Sequence, residues 1–110
     1  MAEGKEDLMA RAIGLSELVS YQKGSVVSRT LLDKKVGTIT VFAFAEGEGL
    51  SEHTAPFDAF VQVIDGTAEI IVAGVKNVVN MGEMIIMPAD KPHSLRAVKQ
   101  FKMLLVMIRS

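Results

Sequence analysis

The sequence contains no cysteine and no tryptophan, and it has only one tyrosine and five phenylalanines among 110 residues. Without cysteine the chain forms no disulfide, no zinc ribbon and no thiol-based catalytic centre, which suits a reducing compartment. Neither sign of charge predominates, since 12 lysines and arginines stand against 13 aspartates and glutamates. Because no basic block accompanies the few aromatic rings, we expect no binding to nucleic acid.

Long apolar runs are also missing. The run VGTITVFAFA at positions 36–45 has about half of the ~20 residues that a membrane-spanning helix needs. The first residues, MAEGKEDLMARAIG, lack the basic start and the apolar centre of a signal peptide. We therefore expect a soluble, cytoplasmic protein that makes no membrane contact, with a length that fits one compact domain.

A short helix is predicted only at the N-terminus. Apolar residues recur there at helical spacing: Leu8, Met9, Ala12 and Ile13. Glu6 and Asp7 precede them and suit the positive end of the helix dipole, and Gly14 supplies an end. We assign residues 1–23 to this helix and a lead-in segment, and residues 24–110 to a second, larger region.

The region from Gly24 onward has the pattern of an all-β fold, because glycines separate runs rich in valine, isoleucine, threonine and phenylalanine. Tight turns are predicted at Gly66 and Gly74. Eight strands are predicted, at Ser25–Leu32, Thr38–Ala45, Ala59–Ile64, Ala68–Ala73, Asn77–Met81, Met84–Met87, His93–Ala97 and Phe101–Ile108.

Several of these strands are apolar on both faces. In TITVFAFA, Ile39 and Val41 fall on one face and Phe42 and Phe44 on the other. A strand with one solvated face alternates apolar with polar residues, so both faces here are expected to be covered. One face is covered by the core of the domain itself. The other face is covered by another sheet, by the N-terminal helix or by a second copy of the chain, and we expect an isologous homodimer.

Two segments carry polar residues at defined spacings, GEGLSEHTAPFDAFVQVIDG at positions 47–66 and GEMIIMPADKPHSLRA at positions 82–97. They resemble the two motifs of the cupin superfamily. The matching residues are Gly47, His53 and Gly66 in the first motif and Gly82, Pro88 and His93 in the second. The resemblance is to a small single-domain cupin and implies an all-β jelly-roll barrel, the double-stranded β-helix, built from two antiparallel sheets.

The resemblance also implies a metal site, and here the sequence departs from the family. Cupins that hold a metal generally use three polar residues of the first motif and the histidine of the second, which makes His53 and His93 the candidate ligands. Ala55 stands where the family has a second histidine, and Ala59 stands where it has a glutamate. Asp90 replaces a glycine of the second motif. Half of the usual ligand set is therefore absent.

A carboxylate from elsewhere is the first candidate for a third ligand. If His53 faces the barrel interior, strand alternation predicts the same orientation for three neighbours, namely Ala55, Phe57 and Ala59. Asp58 then faces away, and only a β-bulge would reverse it. Glu48 and Glu52, which precede the strand, are the other candidates.

Methionine is the other possible ligand type. Four methionines are predicted on core-lining strands, Met84, Met87, Met103 and Met107. A copper(I) site is chemically conceivable, although methionine more simply fills irregular cores. The alanines at the family's ligand positions predict a partly apolar cavity that suits a small molecule. Its expected walls are Ala55, Phe57, Ala59, Met84 and Met103.

Three roles for His53 and His93 stay open: holding one divalent transition metal (Zn, Fe, Mn, Ni or Cu) with help from water or a bound ligand, hydrogen bonding to an organic ligand, or a purely structural role. Three functions follow. The chain is a small-molecule-binding module with or without a metal, a metal-dependent oxygenase or isomerase with a non-standard third ligand, or a structural or regulatory dimerisation module. No catalytic residue is assigned.

Overall fold

Eight β-strands carry the fold in the computed structural model, which describes residues 8–109. They are β1 (Val26–Lys34), β2 (Gly37–Phe44), β3 (Gly49–His53), β4 (Asp58–Val72), β5 (Val75–Asn80), β6 (Met84–Met87), β7 (His93–Arg96) and β8 (Phe101–Ile108). The one helical element among the described residues is a 3-10 turn at Leu15–Leu18. The prediction of an all-β fold is confirmed.

The long strand β4 joins two antiparallel sheets. Its first half pairs with β8 and β6, and its second half pairs with β5 and β7. Sheet A comprises β1, β2, β8, β4 and β6, and sheet B comprises β3, β7, β4 and β5. Because β4 runs through both, the sheets curl around one shared interior and place β3 and β7 together at one end of the strand order.

The interior is lined by alternate residues of the strands. Ala59, Val61 and Val63 of β4 are all buried, as the alternation in the sequence predicts. Phe44 of β2 and Phe101 of β8 are completely buried and stack with their ring centroids 4.6 Å apart. Burial of such aromatic pairs is a main contribution to the stability of a small core.

The predicted turn at Gly74 is confirmed and the one at Gly66 is wrong. Ala73 and Gly74 form the two-residue connection between β4 and β5, with φ of 50° and 82°. Gly66 instead lies within β4, opposite Phe101, with φ of 75°. A register shift between Val63 and Asp65 bends β4 there, so the chain curves into the second sheet without reversing.

The predicted N-terminal helix is also wrong over the described residues. Residues 8–14 contain a turn and a bend but no helix, while Glu6 and Asp7 lie outside the described residues. So short a helix has little stability of its own, and packing against the sheet determines the conformation instead. Within residues 8–109, no helix has the length and apolarity needed to cross a bilayer.

The lead-in segment covers part of the outer face of sheet A. Val19 is buried against Val41 and Ala43 of β2, with Leu15 and Leu18 packed beside them. Lys102 Nζ donates a 2.6 Å hydrogen bond to the carbonyl oxygen of Ser16. The two-sided apolar pattern of β2 is therefore explained in part by the chain's own N-terminal segment.

Candidate functional site

The fold brings the two histidines of the chain together, across the pair of strands β3 and β7. Their Nε2 atoms lie 3.1 Å apart, and the rings meet edge to face with centroids separated by 4.3 Å. His53 is exposed, whereas His93 is buried with 6% of its surface accessible. The pair therefore lies at a mouth of the barrel, with one imidazole facing solvent and the other anchored in the interior.

A register shift in β3 creates this pairing. Leu50 lies opposite Leu95, so continuous pairing would place Glu52 opposite His93. The extra residue between Leu50 and His53 moves the imidazole of His53 into that position instead. Bulges of this kind often re-aim a side chain at a functional site. The site thus contains two imidazoles, whereas a regular ladder would place the carboxylate of Glu52 beside the imidazole of His93.

Both imidazoles are oriented in the same way by a backbone carbonyl two residues earlier. His53 Nδ1 lies 2.7 Å from the oxygen of Ser51, and His93 Nδ1 lies 3.1 Å from the oxygen of Lys91. Because a carbonyl oxygen only accepts hydrogen bonds, each Nδ1 must carry the proton and donate it. In the neutral form of each ring, the lone pair then resides on Nε2.

The two Nε2 atoms, each with a lone pair when its ring is neutral, consequently contact one another as two acceptors. Two acceptors at 3.1 Å repel unless a positive charge lies between them, either a shared proton or a metal ion. Burial lowers the pKa of His93 below its ordinary value, and the neighbouring His53 lowers that pKa further, while the hydrogen bond to Lys91 acts in the opposite direction. The charged form of the His93 imidazole is therefore disfavoured.

The spacing of the two nitrogens fits ligands of a single transition metal ion. Metal–nitrogen bonds of about 2.0–2.1 Å at tetrahedral or octahedral angles separate two ligand nitrogens by about 2.8–3.4 Å. The observed 3.1 Å falls inside this interval. The carbonyl contacts at Nδ1 are also the usual outer support of a metal-bound histidine.

None of the candidate carboxylates joins the pair. Asp58 Oδ1 accepts a 2.8 Å hydrogen bond from the backbone N–H of Ala89, which confirms that its side chain is directed elsewhere. Glu52 is exposed and Glu48 is half-buried. Across residues 8–109, no group of three or more His, Cys, Asp or Glu side chains is arranged to hold a metal ion. Among these residues, the candidate metal ligands at the site are therefore a pair of imidazoles.

The predicted cavity walls are only partly on the interior surface. Ala59 and Met103 are buried inside the barrel, Ala55 is half-buried, and the half-buried ring of Phe57 lies against the guanidinium of Arg109, 5.6 Å from the ring centroid. Met84 was predicted to line the cavity, and this is wrong. Met84 is 44% exposed and lies opposite Gln62 on the outer face of the sheet. Met87 is three residues further along the strand, so its side chain lies on the other face and is buried.

The loop before His93 is fixed by contacts that the sequence does not reveal. Asp90 N–H donates a 2.8 Å hydrogen bond to the oxygen of Ala55, and Ala73 N–H donates one of the same length to the oxygen of Pro92. Asp90 has φ of 66°, a region that aspartate tolerates better than most residues. Aspartate therefore performs here the conformational role of the glycine that the motif predicts.

Comparison with known proteins identifies the family. The family model described as cupin domain matches residues 40–109, which include both histidines. The chain therefore belongs to the cupin domain family, and the resemblance inferred from the two motifs is confirmed. No curated protein matches the sequence.

Three solved structures illustrate the similarity. A conserved protein of unknown function from Streptococcus pyogenes is 37% identical, with a TM-score of 0.88 over 92% of this chain and 89% of its own. A cupin 2 conserved barrel domain protein from Leptotrichia buccalis is 39% identical, with a TM-score of 0.86 over 88% of this chain and 47% of its own. A cupin superfamily protein from Desulfitobacterium hafniense is 27% identical, with a TM-score of 0.87 over 92% of this chain and 93% of its own.

Proposed function

We propose that this cupin binds a small molecule at the mouth of its barrel and that His53 and His93 hold a divalent transition metal there. The observation that carries the proposal is the 3.1 Å separation of the two Nε2 atoms, each with its Nδ1 hydrogen-bonded to a carbonyl oxygen. This arrangement brings two nitrogen acceptors into contact before any ligand arrives. A positive ion between them relieves their repulsion.

Metal affinity at such a site is expected to be weak. Transition metal sites in proteins generally use three or four protein ligands, and here two imidazoles are present. A bound metal supplies Lewis acidity, which polarises an oxygen of a ligand. The protein residues hold the ion and keep both imidazoles in the correct tautomer.

Metal analysis tests the proposal. Protein prepared without chelators or a nickel-affinity tag is dialysed to equilibrium against millimolar cobalt, zinc or nickel, and the metal that it holds in excess of the dialysis buffer is measured by mass spectrometry. We expect stoichiometric metal in the unmodified chain, and loss of that metal in both His53→Ala and His93→Ala. Trace metal in all three proteins after reconstitution would contradict the proposal.

Asp58→Asn is the matched control for this experiment. Asparagine keeps an oxygen that accepts the Ala89 N–H bond but removes the negative charge. Because Asp58 is directed away from the imidazole pair, Asp58→Asn should retain as much metal as the unmodified chain. A loss of metal equal to that of the histidine variants would identify Asp58 as a ligand.

The outer face of sheet A supports a homodimer as part of the proposal. A row of apolar side chains crosses the sheet in register, Ile86, Phe60, Val106 and Ile39, and we call it the apolar row. No charged residue interrupts it, and Ile86 is 54% exposed. A second copy is the proposed partner, because an apolar row pairs with itself about a two-fold axis and a net charge of −1 gives little repulsion. A monomer in light scattering at micromolar concentration would contradict the proposed homodimer.

The cytoplasm is the compartment we propose. The absence of cysteine suits reducing conditions, and solvent-facing histidine sites are accessible there to soluble small molecules. Cell fractionation with an antibody against the chain tests the assignment, and recovery in the membrane or secreted fraction would contradict it.

A further inference from the structure

A groove on the outside of the barrel crosses sheet B at the point where β4 passes the loop between β7 and β8. It has a volume of about 520 Å³ and is lined by residues 66–69 of β4, Val78 of β5 and residues 98–100 of the loop, and we call it the sheet B groove. Neither histidine lines it. Its volume lies within the range of small-molecule sites, about 300–1,000 Å³.

Two valines give the sheet B groove apolar walls. Val78 and Val98 belong to different segments of the chain, both line the groove, and each is more than half exposed. Val78 lies opposite Glu69 on the outer face of the sheet, since the neighbouring Val79 and Ala68 are buried in the interior. Covering the two valines removes apolar surface from water, which favours an occupant with an apolar part.

The loop of the sheet B groove carries hydrogen-bond donors that the protein does not use. Lys99 lines the groove, and its ammonium group forms no ion pair with any other residue of 8–109. Over the same part of the chain, the backbone N–H groups of Val98 and Lys99 donate no hydrogen bond. An oxygen with negative charge is the strongest acceptor for such donors.

The charge around the sheet B groove is positive. Among the described residues that line it, Glu69 is the one carboxylate, and its Oε2 lies 3.6 Å from Lys76 Nζ. Arg96 lies opposite Glu69 in the pairing of β4 with β7. Together with Lys99, three basic side chains therefore accompany one carboxylate, although the chain as a whole has a net charge of −1. This distribution favours an anion over a cation in the groove.

We propose that the sheet B groove binds a small aliphatic carboxylate. The carboxylate accepts hydrogen bonds from Lys99 and from the N–H groups of the loop, and the aliphatic chain lies against Val78 and Val98. This site is separate from the imidazole pair and needs no metal, so the failure of either proposal leaves the other standing.

Four probes test the proposal. Hexanoate, 1-hexanol and hexylammonium share one alkyl chain and differ in the charge of the head group, while acetate has the head group without the chain. Each is titrated at constant ionic strength into the unmodified ¹⁵N-labelled chain, and the amide resonances of Val98, Lys99 and Gln100 are followed by NMR. We expect hexanoate to shift these resonances with a dissociation constant at least about 5-fold lower than that of any other probe. Equal affinity for hexanoate and 1-hexanol, or unchanged loop resonances with hexanoate, would overturn the proposal.

Charge variants assign the two ends of the ligand. Lys99→Gln should weaken hexanoate binding by about 5-fold, to the level of 1-hexanol, because the cation is lost. Lys23→Gln is the matched control, since Lys23 is exposed and does not line the groove, and it should leave the affinity unchanged. Equal losses in the two variants would contradict a role for Lys99.

Glu69 distinguishes an anion from a zwitterion. Glu69→Gln removes the carboxylate of the groove and should tighten hexanoate binding. Norleucine adds an ammonium group to the same six-carbon acid and should bind the unmodified chain no more tightly than hexanoate does. Tighter binding of norleucine that Glu69→Gln abolishes would show that the groove takes an amino acid and would overturn the simple carboxylate.

Discussion

At the scale of single residues, the site depends on one additional residue in β3. Without the register shift between Leu50 and His53, Glu52 would face His93 and a carboxylate would be available to a metal. With it, two imidazoles meet, and no carboxylate of residues 8–109 joins them to form a metal-holding group. The charge of the site is therefore set by backbone register as much as by the identities of the residues.

Gly49 keeps β3 close enough to β7 for this pairing. A Cβ at Gly49 would collide with the carbonyl oxygen of Leu95 on the neighbouring strand. Gly49→Ala should therefore separate β3 from β7 and reduce the free energy of unfolding by about 1–3 kcal/mol. Chemical denaturation measures the loss, and the imidazole proton resonances of His53 and His93 should shift in the same variant. Unchanged stability and unchanged resonances would show that the strands need no close approach at Gly49.

Ala73 is strained, and relieving the strain should stabilise the protein. It occupies the first position of the β4–β5 turn with φ of 50°, where a Cβ is unfavourable and asparagine is preferred. Ala73→Asn is expected to increase the free energy of unfolding by about 0.5–1 kcal/mol, which raises the melting temperature by several degrees. Ala73→Val is the control and should lower it, because a β-branched residue tolerates positive φ poorly. Equal melting temperatures for all three chains would contradict this interpretation.

At the scale of elements, strands were predicted well where the pattern was apolar and poorly where it was polar. The boundaries of β6 and β8 agree with the prediction because methionine, isoleucine, leucine and phenylalanine dominate them. The strand β3, with the sequence GLSEH, was missed because its exposed residues show no alternation. It is stabilised by pairing with β7, which local sequence does not encode.

The lead-in segment was the other error at this scale. Helical spacing in the first residues predicts an amphipathic helix, whereas the described part of this segment packs Leu15, Leu18 and Val19 flat against sheet A. Apolar residues at intervals of three and four serve either arrangement. Whether the segment forms a helix or lies flat depends on the shape of the sheet against which its apolar residues pack, and that shape is a property of the tertiary structure.

Tyr21 anchors the lead-in segment and should make the stability of the protein depend on alkaline pH. Its hydroxyl donates a hydrogen bond to Asp65, and burial, followed by this contact with Asp65, raises the pKa of Tyr21 well above its ordinary value of 10.0. The native state therefore binds the phenolic proton more tightly than the unfolded state does. The resulting stabilisation is complete below about pH 10 and decreases as the pH rises above it.

The variant Tyr21→Phe tests this anchor. It should lower the free energy of unfolding by about 0.5–1.5 kcal/mol at neutral pH, because the hydrogen bond to Asp65 is lost. The stability of Tyr21→Phe should also decrease less steeply above pH 10 than that of the unmodified chain. Both proteins contain the same lysines, so lysine titration does not account for this difference. Urea denaturation at a series of pH values makes the comparison. Parallel curves for the two proteins would show that the phenol contributes no pH dependence.

At the scale of the whole molecule, the apolar row on sheet A determines the proposed assembly. Ile86 lies at the exposed end of the row and opposite Phe60. Ile86→Glu places a charge in the proposed dimer interface and should shift the protein toward the monomer in analytical ultracentrifugation. Val75→Glu is the control, since Val75 is 63% exposed but belongs to sheet B, and it should leave the distribution unchanged. Equal distributions for both variants would exclude the apolar row as the interface.

The family and the meeting of the two histidines followed from the spacing of two motifs, whereas the chemistry of the site did not. Motif spacing fixes which strands are neighbours, so His53 and His93 were expected at one mouth of the barrel. The bulge in β3, the carbonyl contacts of Ser51 and Lys91, and the outward direction of Met84 depend on register and backbone conformation. A shift of one residue reverses a side chain, and sequence alternation alone does not locate such shifts.

The most direct test of the central claim is a crystal structure of the protein soaked in cobalt, with diffraction recorded at the cobalt absorption edge. We expect one anomalous peak within bonding distance of the Nε2 atoms of both His53 and His93. An empty map between the two imidazoles at full cobalt saturation of the crystal, with the nitrogens still in contact, would show that they share a proton and would contradict the metal site.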